Sequence, residues 1–180
     1  MTDEIPDAVF HEPKNLAVFN QRVTDFIKTY FKRDSETADL YRGFVSHVLA
    51  DGIFRLIVRR NFVEQMKKEN IDQDDLEFYK RILFDMECID KILAKNYPFK
   101  NDIVQELEKE NDYEIADYLT KQELNASKNW VIESFFKGDV QPGTPVYYSL
   151  EAAMNFIDEA TENIVEQLSN RRDFPAMFFS

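Results

Sequence analysis

Arg42 and His47, in the run RGFVSH, are the two side chains of this sequence whose types and spacing best suit chemistry. A guanidinium stabilises negative charge on phosphate oxygens, and an imidazole moves protons near neutral pH, so together they fit cleavage of a phosphodiester. His11 is the other histidine, and neither lies in a Glu-x-x-His or His-x-x-x-His spacing, so a di-metal centre of the helical-bundle kind lacks its ligands. One cysteine gives no zinc site. Glu87 with Asp90, and Glu159 with Glu162, stand three apart in a way that suits Mg²⁺, but among 34 acidic residues such spacings arise freely and read as solvated helix faces. No metal and no cofactor are expected. Cys88 sits in DMECID, where carboxylates do nothing to lower a thiol pKa, so it is not expected to be a nucleophile. Gly-x-Ser-x-Gly and the phosphate-cradling glycine loops are absent, and 4 glycines leave little scope for nucleotide binding by backbone amides.

The Arg42–His47 spacing resembles the Arg-x4-6-His motif of HEPN ribonucleases, which are small all-α domains. The resemblance covers the six residues RGFVSH. It implies that Arg42 holds phosphate and His47 takes part in RNA cleavage, with two motifs meeting across a dimer. Gly43 stands where that family usually has a polar residue, and the pair falls in the second expected helix rather than late in the bundle. From the residues alone, His47 reads as a partly buried structural histidine and Arg42 as an ion-pair partner.

The chain carries a net charge of −12, which disfavours nucleic acid or an anionic membrane as a direct partner and suits a basic protein. The charge concentrates in NDIVQELEKENDYEIADYL, where Glu106, Glu108, Glu110, Asp112, Glu114 and Asp117 crowd together with Tyr113 and Tyr118. Such a surface steers a basic partner and raises its on-rate, and exposed tyrosines would anchor the contact. A local basic strip, Arg55, Arg59, Arg60, Lys67 and Lys68, is expected to pair internally with acids of 72–77 or of the short acidic helices.

These residues need elements to position them. With 180 residues, 14 % aromatic side chains and only 4 Gly and 6 Pro, the composition favours one all-α domain of six or seven helices. Residues 36–68 are apolar on nearly every side of a helix, which marks a central buried element, and Gly52 is the one point where it would break. Residues 1–14 read as an extended arm. A first helix runs from an Asn15 cap to about Arg33. Another follows an Asp72 cap to about Lys95, with Leu76, Tyr79, Ile82, Leu83, Met86, Ile89 and Leu93 inward. Two short acidic helices are expected near 102–110 and 112–119. Thr120 caps a helix to Lys137, with Trp130 among its apolar anchors, and Gly138 stops it. A loop with a turn at Pro142–Gly143 leads to a last helix, Ser149 to about Ser169. The tail 170–180 is basic and then apolar, and is expected to dock on the core.

No export signal and no spanning segment is visible, so a cytoplasmic protein is expected. By elimination and electrostatics, the leading expectation is a non-enzymatic inhibitor of a basic protein, such as an immunity protein or antitoxin facing a nuclease-type toxin. A ribonuclease using Arg42 and His47 is the alternative from the enzyme class, and a structural or scaffold module is the third.

Overall fold

The structure, a computed structural model, describes residues 16–30, 38–115, 118–138 and 141–169, with side chains from Gln21 onward. Expectations for the arm 1–14, the tail 170–180 and Asp117 lie outside these residues. The described chain is all-α. Its elements are α1 (Leu16–Tyr30), α2 (Ala38–Phe54), a π-helical segment (Arg55–Arg59), α3 (Arg60–Lys68), α4 (Leu76–Asn96), α5 (Lys100–Lys109), α6 (Lys121–Val131), a second π-helical segment (Ile132–Phe136) and α7 (Leu150–Ser169). Among the described residues the sole β pairing is the isolated bridge between Ile115 and Leu119. The chain divides into two compact units, one from residues 1–56, 115–119 and 157–180, the other from 57–114 and 120–156.

In the first unit, Val23, Phe26 and Ile27 of α1 and Val45, Val48, Leu49 and Ile53 of α2 are buried. Their three- and four-residue steps are the reason these segments wind as helices with one dry side. Phe26 sits at the middle of a ring cluster, 5.1 Å from Phe44, 5.9 Å from Tyr41 and 5.1 Å from Tyr118 between centroids.

The helix expected over 36–68 does not break at Gly52. Gly52 lies within α2, and from Arg55 the helix widens into the π segment and continues as α3. It ends where Asn70 turns left-handed (φ 58°). The Ile71 N–H then reaches the Met66 carbonyl at 3.0 Å and the Asn70 N–H reaches that of Lys67 at 3.2 Å. This reciprocal pair satisfies the last carbonyls of the helix and explains the stop in NIDQDD.

In the second unit, Phe62 and Met66 of α3 and Phe78, Ile82, Cys88 and Ile89 of α4 are buried. Complete burial of a side chain such as Phe62 or Phe78 stabilises the fold by about 2 kcal/mol. Two expectations for α4 change. Asp75, in extended geometry, occupies the position before its first residue, whereas Asp72 belongs to the preceding turn and accepts the Asp74 N–H at 3.1 Å. The inward row is Phe78, Ile82, Asp85 and Ile89, while Leu76, Tyr79 and Leu83 are exposed. Both rows satisfy the helical period, and the large Phe78 turns the helix so that its own row faces in.

Among the described residues of the second expected short helix, none is helical. Residues 111–114 are irregular, and Ile115 and Leu119 exchange N–H···O=C bonds of 2.9 Å. Thr120 then caps α6 as its sequence implies: the Glu123 N–H reaches Thr120 Oγ1 at 3.2 Å and the Thr120 N–H reaches Glu123 Oε2 at 2.9 Å. The reciprocal bonds satisfy two donors that the helix start would otherwise leave open. Beyond Val131 the helix widens, with the Lys137 N–H on the Ile132 carbonyl at 2.9 Å. Trp130 is exposed rather than an inward anchor, and its ring stands edge-on to Phe135 at 5.0 Å. Ser149 caps α7 by accepting the Ala152 N–H at 3.1 Å.

Candidate functional site

The acidic surface is built on α5 and the irregular run after it. Asp102, Glu106 and Glu110 follow at four-residue steps, which puts them in one row along α5 and its C-terminal boundary. Two lysines of the next helical stretch take up part of the charge. Lys128 Nζ lies 3.1 Å from Asp112 Oδ1 and also donates to the Glu110 carbonyl oxygen at 3.1 Å. Asn125 donates to the other Asp112 oxygen at 2.8 Å. The Asn125 hydrogen bond and then Lys128 hold the Asp112 carboxyl below its ordinary value. Lys137 Nζ pairs with Glu108 Oε1 at 2.7 Å, and that hydrogen bond raises the Lys137 ammonium above its ordinary value.

Asp112 and Glu108 therefore tie this surface to the rest of its unit. The carboxylates of Asp102, Glu106, Glu110 and Glu114 are exposed and make no ion pair or hydrogen bond among the described residues. Tyr113 is half-buried beside them. Tyr118 belongs elsewhere: it lies in the first unit, with its ring 5.1 Å from Phe26 and 5.9 Å from Phe44.

Arg42 and His47 both lie on α2, five residues apart, which separates them by about 140° around the helix axis. Arg42 Nη1 reaches back one turn to Asp39 Oδ1 at 2.6 Å, and His47 Nε2 reaches forward one turn toward Asp51 Oδ2 at 3.4 Å. The ion pair read for Arg42 is present. His47, with 61 % of its side chain exposed, is not the partly buried histidine expected from sequence, because it falls on the wet side of α2 opposite Val45 and Leu49. Within one chain the two side chains diverge.

The basic strip also departs from expectation. Arg59 lies over the Phe78 and Tyr79 rings, at 5.8 Å and 5.9 Å from their centroids, and Arg60 pairs with Glu64 at 3.5 Å. The acid at the end of α3, Glu69, is taken by Arg81 at 2.5 Å.

Sequence reasoning missed Asp85. This carboxylate is 1 % exposed, and it accepts the backbone N–H groups of Val146 (2.9 and 3.0 Å), Tyr147 (2.5 Å) and Tyr148 (2.8 Å). A buried charge is tolerated when several donors converge on it, and charge-assisted bonds of this kind are the strong ones. Outside it, Arg81 donates to the Tyr147 hydroxyl, Tyr147 Oη donates to Glu69 at 3.1 Å, and Gln65 donates to the Tyr147 carbonyl at 3.3 Å. This network anchors the 141–148 loop and leaves it no strand. The available signal was a charged residue on the 78–82–85–89 row. Cys88 is buried next to it, and burial, then the Asp85 charge, pushes its thiol above the ordinary range, which suits no nucleophile.

Among the described residues, no group of three or more His, Cys, Asp or Glu is placed to hold a metal ion, and no helix is long and apolar enough to cross a membrane. No protein-family model, no curated protein and no solved structure matches the chain.

Proposed function

We propose that the protein is a non-enzymatic, cytoplasmic inhibitor that binds a basic protein, in the manner of an immunity protein or antitoxin facing a nuclease-type toxin. The observation that carries this reading is the row Asp102, Glu106 and Glu110 along α5, with Glu114 in the irregular run after it, whose carboxylates have no ion-pair partner among the described residues. Their field is available to a partner, whereas that of Asp112 and Glu108 is spent on Lys128 and Lys137. An exposed acidic row of this kind accelerates encounter with a cationic cleft and discriminates against acidic proteins.

The test begins with affinity capture of the tagged chain from its host. The nuclease activity of the captured basic protein is then assayed with and without the purified chain. Inhibition at stoichiometric ratio, with association slowed about tenfold or more in Glu106→Lys, Glu110→Lys, Glu114→Lys at low salt, supports the reading. Unchanged association in that variant removes this surface from the mechanism. RNA cleavage by the chain itself, lost in His47→Ala, replaces the inhibitor with the ribonuclease reading.

A further inference from the structure

α4 carries apolar residues on two sides, and the fold covers one of them. Phe78, Ile82, Cys88 and Ile89 are buried, whereas Leu76, Tyr79, Leu83 and Phe84 are 70, 41, 61 and 49 % exposed. All four exposed residues lie near the start of one helix and in one compact unit. A helix apolar on two sides is normally covered on both, and large apolar side chains gathered in water mark an interaction surface.

Charge identifies the occupant. In a chain of net charge −12, α4 is balanced, with Lys80, Arg81, Lys91 and Lys95 against Glu77, Asp85, Glu87 and Asp90. A strongly basic or strongly acidic partner therefore gains little here. Lys80 and Glu87 are exposed and stand at equal distances from the midpoint between Leu83 and Phe84. Their spacing sets them only about 20° apart around the helix axis, on one flank. Lys80 has no ion pair or hydrogen bond among the described residues, and Lys91 takes only Oε1 of Glu87, at 2.5 Å. A two-fold axis through that midpoint sets Lys80 of each copy against Glu87 of the other, so the contact is made twice. Glu77 and Asp90 match in distance from the midpoint too, but about 140° around the axis separates them, and the two acids fall on opposite flanks.

We propose that the protein forms a symmetric dimer through α4, with the two helices antiparallel and Leu83 and Phe84 at the two-fold axis. Leu76 of each copy then lies against the methylene stem of Lys91 of the other. One helix pair is a contact at the small end of specific interfaces, so the association is weak and reversible. The acidic row on α5 takes no part in it, and the inference does not depend on the partner proposed for that row.

Sedimentation velocity of the full chain, from about 1 to 500 µM, reads the association. The wild type is expected to pass from monomer to dimer over this range. Leu83→Asp is expected to raise the dissociation constant about tenfold or more, since it places a carboxylate at the axis of both copies. Lys80→Glu turns two attractive pairs into repulsive ones and is expected to raise it about fivefold. The double variant Lys80→Glu, Glu87→Lys reverses both members of each pair and is expected to return to about the wild-type value. All the substituted side chains are exposed, so the variants retain the fold, which circular dichroism checks. A chain that stays monomeric throughout overturns the proposal, even if α4 captures some other protein. A dimer indifferent to Leu83→Asp forms elsewhere and overturns it as well. A double variant no better than Lys80→Glu alone overturns the antiparallel pairing.

Discussion

Asp85 Oδ2 accepts the backbone N–H of Tyr148 at 2.8 Å, across 63 residues of sequence, at the inner end of a cradle closed by the N–H groups of Val146 and Tyr147. Three consecutive amides pointing at one carboxylate oblige the loop before α7 to turn inward. That turn brings Tyr148 into the core beside Phe62, with ring centroids 6.4 Å apart. A single charge on α4 thus sets the path of the chain into α7.

Asp85→Asn keeps the shape and removes the charge. The amide offers one acceptor oxygen where the carboxylate offered two, and its NH2 group points a donor at other donors. Stability is expected to fall by about 3 kcal/mol, the scale of losing charge-assisted bonds and leaving buried amides unsatisfied. Urea unfolding followed by circular dichroism checks it: the midpoint drops while the slope stays constant. An unchanged midpoint would mean that water serves the amides equally well.

Gly143 lies at the same place for a steric reason. A Cβ added there would stand 2.8 Å from Cys88 Sγ and 3.0 Å from the Phe84 ring. Cys88 is buried, at 3 % exposed. Gly143→Ala is therefore expected to destabilise by about 1–3 kcal/mol through overpacking, and the double variant with Cys88→Ala to recover part of it. The same urea titrations read both effects, and full additivity of the two substitutions would contradict the contact.

Much of this architecture was legible in the sequence wherever the signal was local. The Thr120 and Ser149 caps each act within a few residues, and the structure has both. The misreading of α4 has a physical source. Its run is apolar over too wide an arc to choose a side, and the charge on Asp85 argued against the row that is in fact buried, because its compensating donors lie more than sixty residues away. The π-helical segments after Phe54 and Val131 carry no sequence mark of which we have a physical account.

The acidic surface was legible as composition, but which of its carboxylates are paired was not. Which carboxylates stay available depends on Lys128 and Lys137, which reach Asp112 and Glu108 across 16 and 29 residues. Periodicity carries no information about pairs so far apart. Tyr118, grouped with the acids by proximity in sequence, was claimed by the rings of Phe26, Tyr30 and Phe44.

The Glu69–Arg81–Tyr147 cluster gives stability a dependence on acid. The Tyr147 hydroxyl, then Arg81, hold the Glu69 carboxyl below its ordinary value of 4.5. A carboxyl depressed in the folded state contributes stability that is complete above the unfolded value and disappears as pH falls through the folded one. The wild type is expected to lose stability below about pH 4.5 more steeply than Glu69→Gln. Chemical denaturation at pH 6, 4.5 and 3 checks this, and parallel losses in the two proteins would show that Glu69 has no such role.

Tyr148 produces the opposite dependence at high pH. Burial, followed by the nearby Asp90 charge, pushes its phenol from 10 up to about 12. The folded state thus holds the phenolic proton more tightly than the unfolded chain does. The stabilisation is complete below pH 10 and is lost as pH rises from 10 to about 12, where the unfolded chain ionises and the folded one resists. Tyr148→Phe has no proton to lose at this position. Its unfolding free energy is expected to be flatter than that of the wild type across this window, while the two differ by a constant between pH 7 and 9. Other tyrosines and lysines titrate in both proteins, so the difference between the two curves isolates Tyr148. A difference that stays constant to pH 12 would mean that the ring ionises as freely in the folded protein as in the unfolded chain, and that the Asp85 cradle does not keep it from water.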